Sequence, residues 1–253
     1  MIKLMTMRTR SVLITGGSSG IGAATARAFA AGGYRVAVAG PDDRDLAEVA
    51  EETGGIAIPG DLRERGCPQR TAEAAAAALG GLDVVVSNAG AGYRGPFAEM
   101  SHEEIDSLLD VNLRAAAHLA RASLTHIRPG TGRLVFVGSI AGLVGVTGEA
   151  WYSATKAGLG TLAGVLRAEL RLAGIGVTLV TPGVVRTAFY ERRNVPYERT
   201  FPRPVDAALV ARLILDAVEH SRDEVVVPAW LTVPARLKGG LPGLYGLLER
   251  RFT

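Results

Sequence analysis

The chain has 253 residues, 48% of them hydrophobic, which is enough to bury the core of one large α/β domain and too apolar for wholesale disorder. The formal net charge of +3 is mild and Lys and Arg form no long basic run, which argues against a nucleic-acid partner. Cys67 stands alone, so no intramolecular disulfide forms; no apolar stretch accompanies Lys3, Arg8 and Arg10, and no uncharged apolar run reaches the roughly 18 residues of a membrane span, so the cytoplasm is the expected compartment.

Short β-rich runs alternate with longer helical patterns along the chain. A strand over 12–15 leads through Thr15-Gly16-Gly17-Ser18-Ser19-Gly20-Ile21-Gly22 into a helix over 21–31. A strand over 35–39 ends in Gly40-Pro41, and a helix over 46–52 follows. A strand over 55–58 runs into Gly60-Asp61-Leu62, and a helix over 69–79 contains the strong helix-forming run 74–78 of five alanines. A strand over 83–87 ends in Ser87-Asn88-Ala89-Gly90. A helix over 101–127 carries Asn112, and a strand over 133–138 stops at Ser139. A helix over 150–173 carries Tyr152 and Lys156; a strand over 176–181 enters Pro182-Gly183-Val184-Val185-Arg186-Thr187. The polar, arginine-rich segment 186–200 reads as a substrate lid, before a helix over 204–220 and a strand over 224–227. Most strands are continuous apolar runs rather than alternating ones, as in a parallel sheet covered on both faces. The β-α alternation predicts one doubly wound, Rossmann-like α/β domain over 1–253 with about seven parallel strands, and 228–253 as a variable C-terminal segment.

Three groupings carry chemistry. The glycines between the first strand and first helix let a pyrophosphate approach backbone that any Cβ would block, and the N–H groups of the helix start point at it. The spacing is T-G-x-x-x-G-x-G, not the G-x-G-x-x-G of the commonest dinucleotide fold. Tyr152 and Lys156 lie one helical turn apart on one face, where a lysine charge favours tyrosinate and lowers a phenol pKa that is ordinarily about 10. Ser139 sits at the carboxyl end of a strand, where ligands of such sheets bind. Each grouping alone has a plainer account: a turn without ligand, a surface Tyr–Lys contact, a satisfied buried Asn112, a strand-ending Asn88. The histidines His102, His118, His126 and His220 show no metal-ligand spacing, and no metal is expected.

Together these residues resemble the short-chain dehydrogenases/reductases over roughly residues 10 to 230. The T-G-x-x-x-G-x-G turn matches at every fixed position, Ser87-Asn88-Ala89-Gly90 resembles N-N-A-G with Ser87 for the first asparagine, and Asn112, Ser139, Tyr152 and Lys156 match the Asn-Ser-Tyr-Lys tetrad in order. The resemblance implies an NAD(P)-dependent oxidoreductase of the alcohol/carbonyl type. Tyr152 would be the acid/base and Ser139 the hydrogen bond to the substrate oxygen. Lys156 would hold the nicotinamide ribose and tune Tyr152, and Asn112 would position a water in a proton relay. It further implies cofactor contacts from Gly16, Ser18, Ser19, Gly20, Ile21 and Gly22, from Asp61 and Leu62 at the adenine, and from Asn88, Ala89 and Gly90. Pro182, Gly183, Val185 and Thr187 complete that set beside the nicotinamide.

Family members preferring NAD often carry Asp where Gly40 stands; those preferring NADP often carry Arg at Pro41 or a base at Ser19, and this chain has none of these. Arg44 is the residue expected to reach a 2′-phosphate and Asp42 a 2′-hydroxyl, with a modest preference for NADP over NAD. The tail, with Trp230, Leu231, Leu237, Leu241, Leu244, Tyr245, Leu247 and Leu248 among Arg236, Lys238, Arg250 and Arg251, has three readings: a lipophilic substrate, a partner subunit or a membrane surface, besides packing on its own domain. A homodimer or homotetramer is expected through helices 101–127 and 150–173, which carry small residues at 115–117 and at Gly158, Gly160 and Gly164. The alternative is a catalytically idle NAD(P)-binding regulator, whose usual mark is loss of Tyr152 or Lys156.

Overall fold

The computed structural model describes residues 8–41, 44–193, 195–198, 200–240 and 243. The first half of the chain forms β1 (Ser11–Thr15), α1 (Gly20–Ala31), β2 (Arg35–Gly40), α2 (Arg44–Glu52), β3 (Ile56–Pro59), α3 (Cys67–Leu79) and β4 (Val84–Ser87). The second half forms α4 (His102–Leu109), α5 (Ala115–Ser123), β5 (Arg133–Val137), α6 (Ile140–Val144), α7 (Ala150–Leu170) and β6 (Gly176–Pro182). It continues through β7 (Val185–Arg186), α8 (Phe189–Arg192), β8 (Val205–Asp206), α9 (Ala207–Glu219), β9 (Glu224–Val227) and α10 (Thr232–Gly240). Among the described residues seven strands form one sheet in the order β3-β2-β1-β4-β5-β6-β9. All neighbours in it run parallel.

Successive strand residues point to opposite faces, and here both faces are buried. Val12, Ile14, Val36, Val38, Val84 and Val86 pack under α1 and α9 against Phe29, Val210 and Ile214. Leu13, Ala37, Val85, Leu134 and Phe136 pack under α3, α5 and α7 against Ala72, Ala75, Leu119, Leu159 and Ala163. Side chains as fully enclosed as Phe29 and Phe136 each stabilise the fold by about 1.5–3 kcal/mol. The alanine run lets α3 lie close to the sheet, with Ala75 and Ala76 buried.

Two expected helices differ. The helix over 101–127 is interrupted by a π-helical turn, Asp110–Arg114, between α4 and α5. The helix expected from 204 begins at Ala207, because Val205 and Asp206 pair in parallel with Val185 and Arg186. β7 and α8 lie at the start of the segment 186–200 expected as a lid, and β8 follows it. Of the tail, residues 228–240 and 243 are described; Leu241, Leu244, Tyr245, Leu247, Leu248, Arg250 and Arg251 lie outside the described residues, as does Asp42.

The sheet positions the site by its winding. β1 has β2 on one side and β4 on the other, so the order reverses there and a crevice opens at the carboxyl ends of β1 and β4.

Candidate active site

The glycine-rich turn and the segment after β4 are stitched together across that crevice. Asn88 Nδ2 donates to the Thr15 carbonyl at 2.9 Å and to the Gly16 carbonyl at 3.2 Å. Thr15 Oγ1 accepts from the N–H groups of Asn88 and Ala89 at 3.1 and 3.2 Å. Gly16 has φ +63°, and a Cβ there would stand 2.9 Å from both Ala89 Cα and Asn88 Nδ2. A Cβ on Gly22 would stand 2.0 Å from the Gly16 carbonyl oxygen. Ser19 precedes α1 in extended conformation and its side chain makes no capping bond, and the first turn of α1 carries no acidic residue. The free N–H groups and positive end of α1 therefore face the cleft. A cradle that any Cβ would fill, open at a helix N-terminus, fits a dinucleotide pyrophosphate.

The cleft has a volume of about 1000 Å³ and runs from Gly40, Pro41, Asp61 and Leu62 past Gly16, Ser18, Ser19, Gly20 and Ile21. It continues over Asn88, Ala89 and Gly90 to Ser139, Tyr152 and Lys156, and on to Pro182, Gly183, Val185 and Thr187. Ser139 caps α6, its Oγ accepting from the Ala141 N–H at 3.1 Å, and it stands close enough to Tyr152 to temper the rise of the phenol pKa. Lys156 Nζ donates to the Val137 carbonyl at 3.1 Å and lies 5.9 Å from the centre of the Tyr152 ring.

Burial sets the electrostatics. It pushes the Tyr152 phenol above its ordinary range, with Glu149 and Tyr190 adding to the rise, while the Ser139 hydrogen bond and Arg193 pull the other way. Burial alone brings the Lys156 ammonium down to about 8. The phenol is raised rather than depressed, contrary to the effect expected of Lys156. The reason is that removal of the phenol from water outweighs a lysine whose head is aimed at a backbone carbonyl.

Gly22, Asn112 and Arg44 do not line the cleft. Gly22 lies beneath the turn. Asn112 sits in the π-helical turn, 1% exposed, with Oδ1 accepting from the Ala91 N–H at 2.9 Å. Its Nδ2 donates to the Ala91 carbonyl at 3.0 Å and to Thr155 Oγ1 at 3.1 Å. Arg44, named for a 2′-phosphate, is 89% exposed and pairs with Glu48 on its own helix at 2.6 Å. Asp61 is committed to Arg63 at 2.6 Å, which holds its carboxyl below the usual range.

Sequence reading expected residues 186–200 to cover the cleft but singled out no side chain there beyond Arg186 and Thr187. Arg193 pairs with Glu149 at 2.6 Å with both side chains buried, and its guanidinium lies 4.6 Å from the Tyr190 ring centre. The Phe189 ring packs 5.8 Å from Tyr152, and Arg192 Nη2 donates to Ser19 Oγ at 2.8 Å. Val144, Val146, Trp230, Leu231, Pro234 and Leu237 give the far end an apolar wall. Lys238 fastens α10 to the Val144 carbonyl, so the described part of the tail packs on its own domain. The run Phe189-Tyr190-Glu191-Arg192-Arg193, aromatic within a polar segment, is the signal in the sequence that pointed here. Among the described residues no group of three or more His, Cys, Asp or Glu could hold a metal ion, and no helix is long and apolar enough to cross a membrane.

Comparison with known proteins places this geometry. The family model for short chain dehydrogenases matches residues 10–197. An uncharacterized oxidoreductase of Myxococcus xanthus is 33% identical over 252 residues, 97% of this chain and 98% of that protein. The ketoacyl reductase HetN of a Nostoc species is 32% identical over 235 residues, 88% of this chain and 80% of that protein. A short-chain dehydrogenase/reductase from Burkholderia phymatum, solved with NAD, superposes with a TM-score of 0.84 at 25% identity, covering 93% of this chain and 95% of that one. A short-chain dehydrogenase from Sphingobium yanoikuyae, solved with NADPH, superposes at 0.79 and 29% identity, covering 95% of each chain. By sequence and by architecture, the chain belongs to the short-chain dehydrogenase family of oxidoreductases.

Proposed function

We propose that the chain is an NAD(P)-dependent oxidoreductase acting on a secondary alcohol or the corresponding carbonyl, with Tyr152 as general acid/base. The observation that carries this reading is the convergence of Ser139, Tyr152 and Lys156 on one cleft with the glycine cradle. A bound nicotinamide would supply or accept the hydride. In the reducing direction the Tyr152 hydroxyl gives its proton to the substrate oxygen while Ser139 hydrogen-bonds the same oxygen. A phenol raised by burial keeps that proton at neutral pH, which suits an acid. Lys156 stands one turn along α7, placed to hold ribose hydroxyls. The donors of the Asn112 amide are already spent on Ala91 and Thr155, so Asn112 acts by positioning the segment after β4.

The apolar wall built by α6, α8 and the start of the tail supports a lipophilic substrate body, and a relative described as a ketoacyl reductase supports a carbonyl in such a substrate. The cofactor in this reading is NADP or NAD, and Gly40, which carries no carboxylate to repel a 2′-phosphate, favours NADP. The reading includes a single domain, residues 186–200 as the lid, and a reducing compartment such as the cytoplasm, supported by the one buried, unpaired Cys67.

The test is a panel of ketones, ketoacyl compounds and secondary alcohols with both cofactors, followed at the nicotinamide absorbance. Tyr152→Phe should lower turnover of the best pair by about 10²–10⁴-fold with cofactor affinity unchanged. A panel with no turnover, or a variant within twofold of the parent, overturns the reading.

A further inference from the structure

Arg192 is placed unlike the other guanidinium groups of the lid and the adenine end. Arg63, Arg94 and Arg193 also line the cleft; Arg63 and Arg193 are neutralised by Asp61 and Glu149, and Arg94 lies beside Gly148 rather than at the glycine cradle. Arg192 is exposed and makes no ion pair among the described residues; its one side-chain hydrogen bond goes to the neutral hydroxyl of Ser19. That hydroxyl stands at the entrance of α1, a helix of 12 residues with no acidic side chain in its first turn. A full positive charge on α8 is thus held against the positive end of a helix dipole, across the mouth of the glycine cradle. Two like-signed groups brought together in this way favour an anion between them, which each would stabilise.

We propose that Arg192 is a phosphate-binding residue of the dinucleotide site, carried in on the lid rather than on the nucleotide-binding half of the sheet. The inference rests on the dinucleotide reading of the cleft and adds one residue to it. Arg192 fills a gap in the chain's own chemistry: Gly40, Pro41 and Ser19 bring no cation to the cradle, and Arg44 is turned away to Glu48. Because α8 also carries Phe189 against Tyr152, a phosphate drawn to Arg192 draws the lid over the catalytic groups. Cofactor binding and closure of the substrate chamber become one event.

The test is fluorescence titration of NADPH and of NADH into the parent protein, Arg192→Gln and Arg192→Lys, without substrate, at two salt concentrations. Glutamine can still hydrogen-bond the Ser19 hydroxyl but carries no charge, so a contact that merely braces the lid survives it. Arg192→Gln should bind at least one dinucleotide about tenfold more weakly and with less salt dependence, and Arg192→Lys should recover part of the loss. A loss confined to NADPH identifies the 2′-phosphate as the partner; an equal loss with both identifies the pyrophosphate; either supports the assignment. Affinities within twofold of the parent for both dinucleotides overturn it. A parent protein that binds neither would instead overturn the dinucleotide reading itself.

Discussion

Lys156 is the residue at which function and stability pull apart. Its ammonium is buried against one carbonyl, that of Val137, and makes no ion pair among the described residues. The fall from an ordinary 10.5 to about 8 corresponds to about 3 kcal/mol of unfavourable burial, offset by about 1 kcal/mol for the hydrogen bond to Val137. The folded pKa lies below the unfolded one, so the native state holds fewer protons between pH 8 and 10.5, and stability rises with pH across that window. Below about pH 8 the whole cost is present. Lys156→Met should therefore stabilise the cofactor-free protein at pH 7 by about 2 kcal/mol, roughly 4–8 °C in Tm. The advantage should shrink as pH rises to 10, while turnover is lost. Calorimetry at pH 7, 8.5 and 10 checks this; an advantage independent of pH would show that the buried charge is not its source.

At the scale of elements, α8 is the part of the proposed lid that meets the catalytic groups. It is four residues long and could not persist alone. The buried Glu149–Arg193 pair and the ring contacts of Phe189 hold it to the start of α7, three residues before Tyr152. Removing one member of a buried pair leaves the other charge unpaired and dry, a cost of about 3–5 kcal/mol that a short lid avoids by opening locally. Arg193→Met should raise KM about tenfold, the size of a modest opening penalty for α8, and should weaken cofactor binding as well, because Arg192 is carried on the same helix. Hydrogen exchange at residues 189–192 should quicken while global Tm stays within a few degrees. Adding Glu149→Gln should recover part of KM, since no lone charge then remains. A Tm drop matching the full cost, with unchanged exchange at α8, would assign the pair to the global fold instead.

At the scale of the whole molecule, the outer face of α7 is the part of the surface that points to self-association. Val165 on α7 and Leu172, in the short turn that follows it, are 52% and 90% exposed. The small residues expected at an interface divide: Ala115 and Ala116 are buried within the domain, and Gly158 and Gly160 are explained by Leu113 and Leu179 packing against them. Gly164 meets nothing within 4 Å and faces outward beside Val165. A homodimer or homotetramer through α7 is the expected state at micromolar concentration by light scattering, and Val165→Asp should shift it toward monomer. A monomeric parent protein would sink this expectation.

How much of all this is legible in the sequence follows from how local each cause is. Continuous apolar runs such as Val84–Ser87 can only be strands buried on both faces, and the alternation of such runs with helical periods left a doubly wound sheet as the consistent arrangement. Thr15 to Gly22 was readable for the same reason: glycine spacing around a single turn is a local steric requirement, later explained by Asn88 and Ala89 crowding Gly16. Arg44 was named for a distant phosphate; the sequence does not show that at the start of α2 it also has a carboxylate one turn away, Glu48, with which it pairs. Asn112 was found as a residue, but the π-helical turn that aims its amide at Ala91 leaves no mark in a helical pattern. The pairs Glu149–Arg193 and Ser19–Arg192 join residues 44 and 173 positions apart. Strand periods and glycine spacing are written within a few residues of chain and are settled by backbone sterics. Partners that far apart are chosen only when the sheet has folded and α8 has packed against it, because only burial decides which charges must find one another.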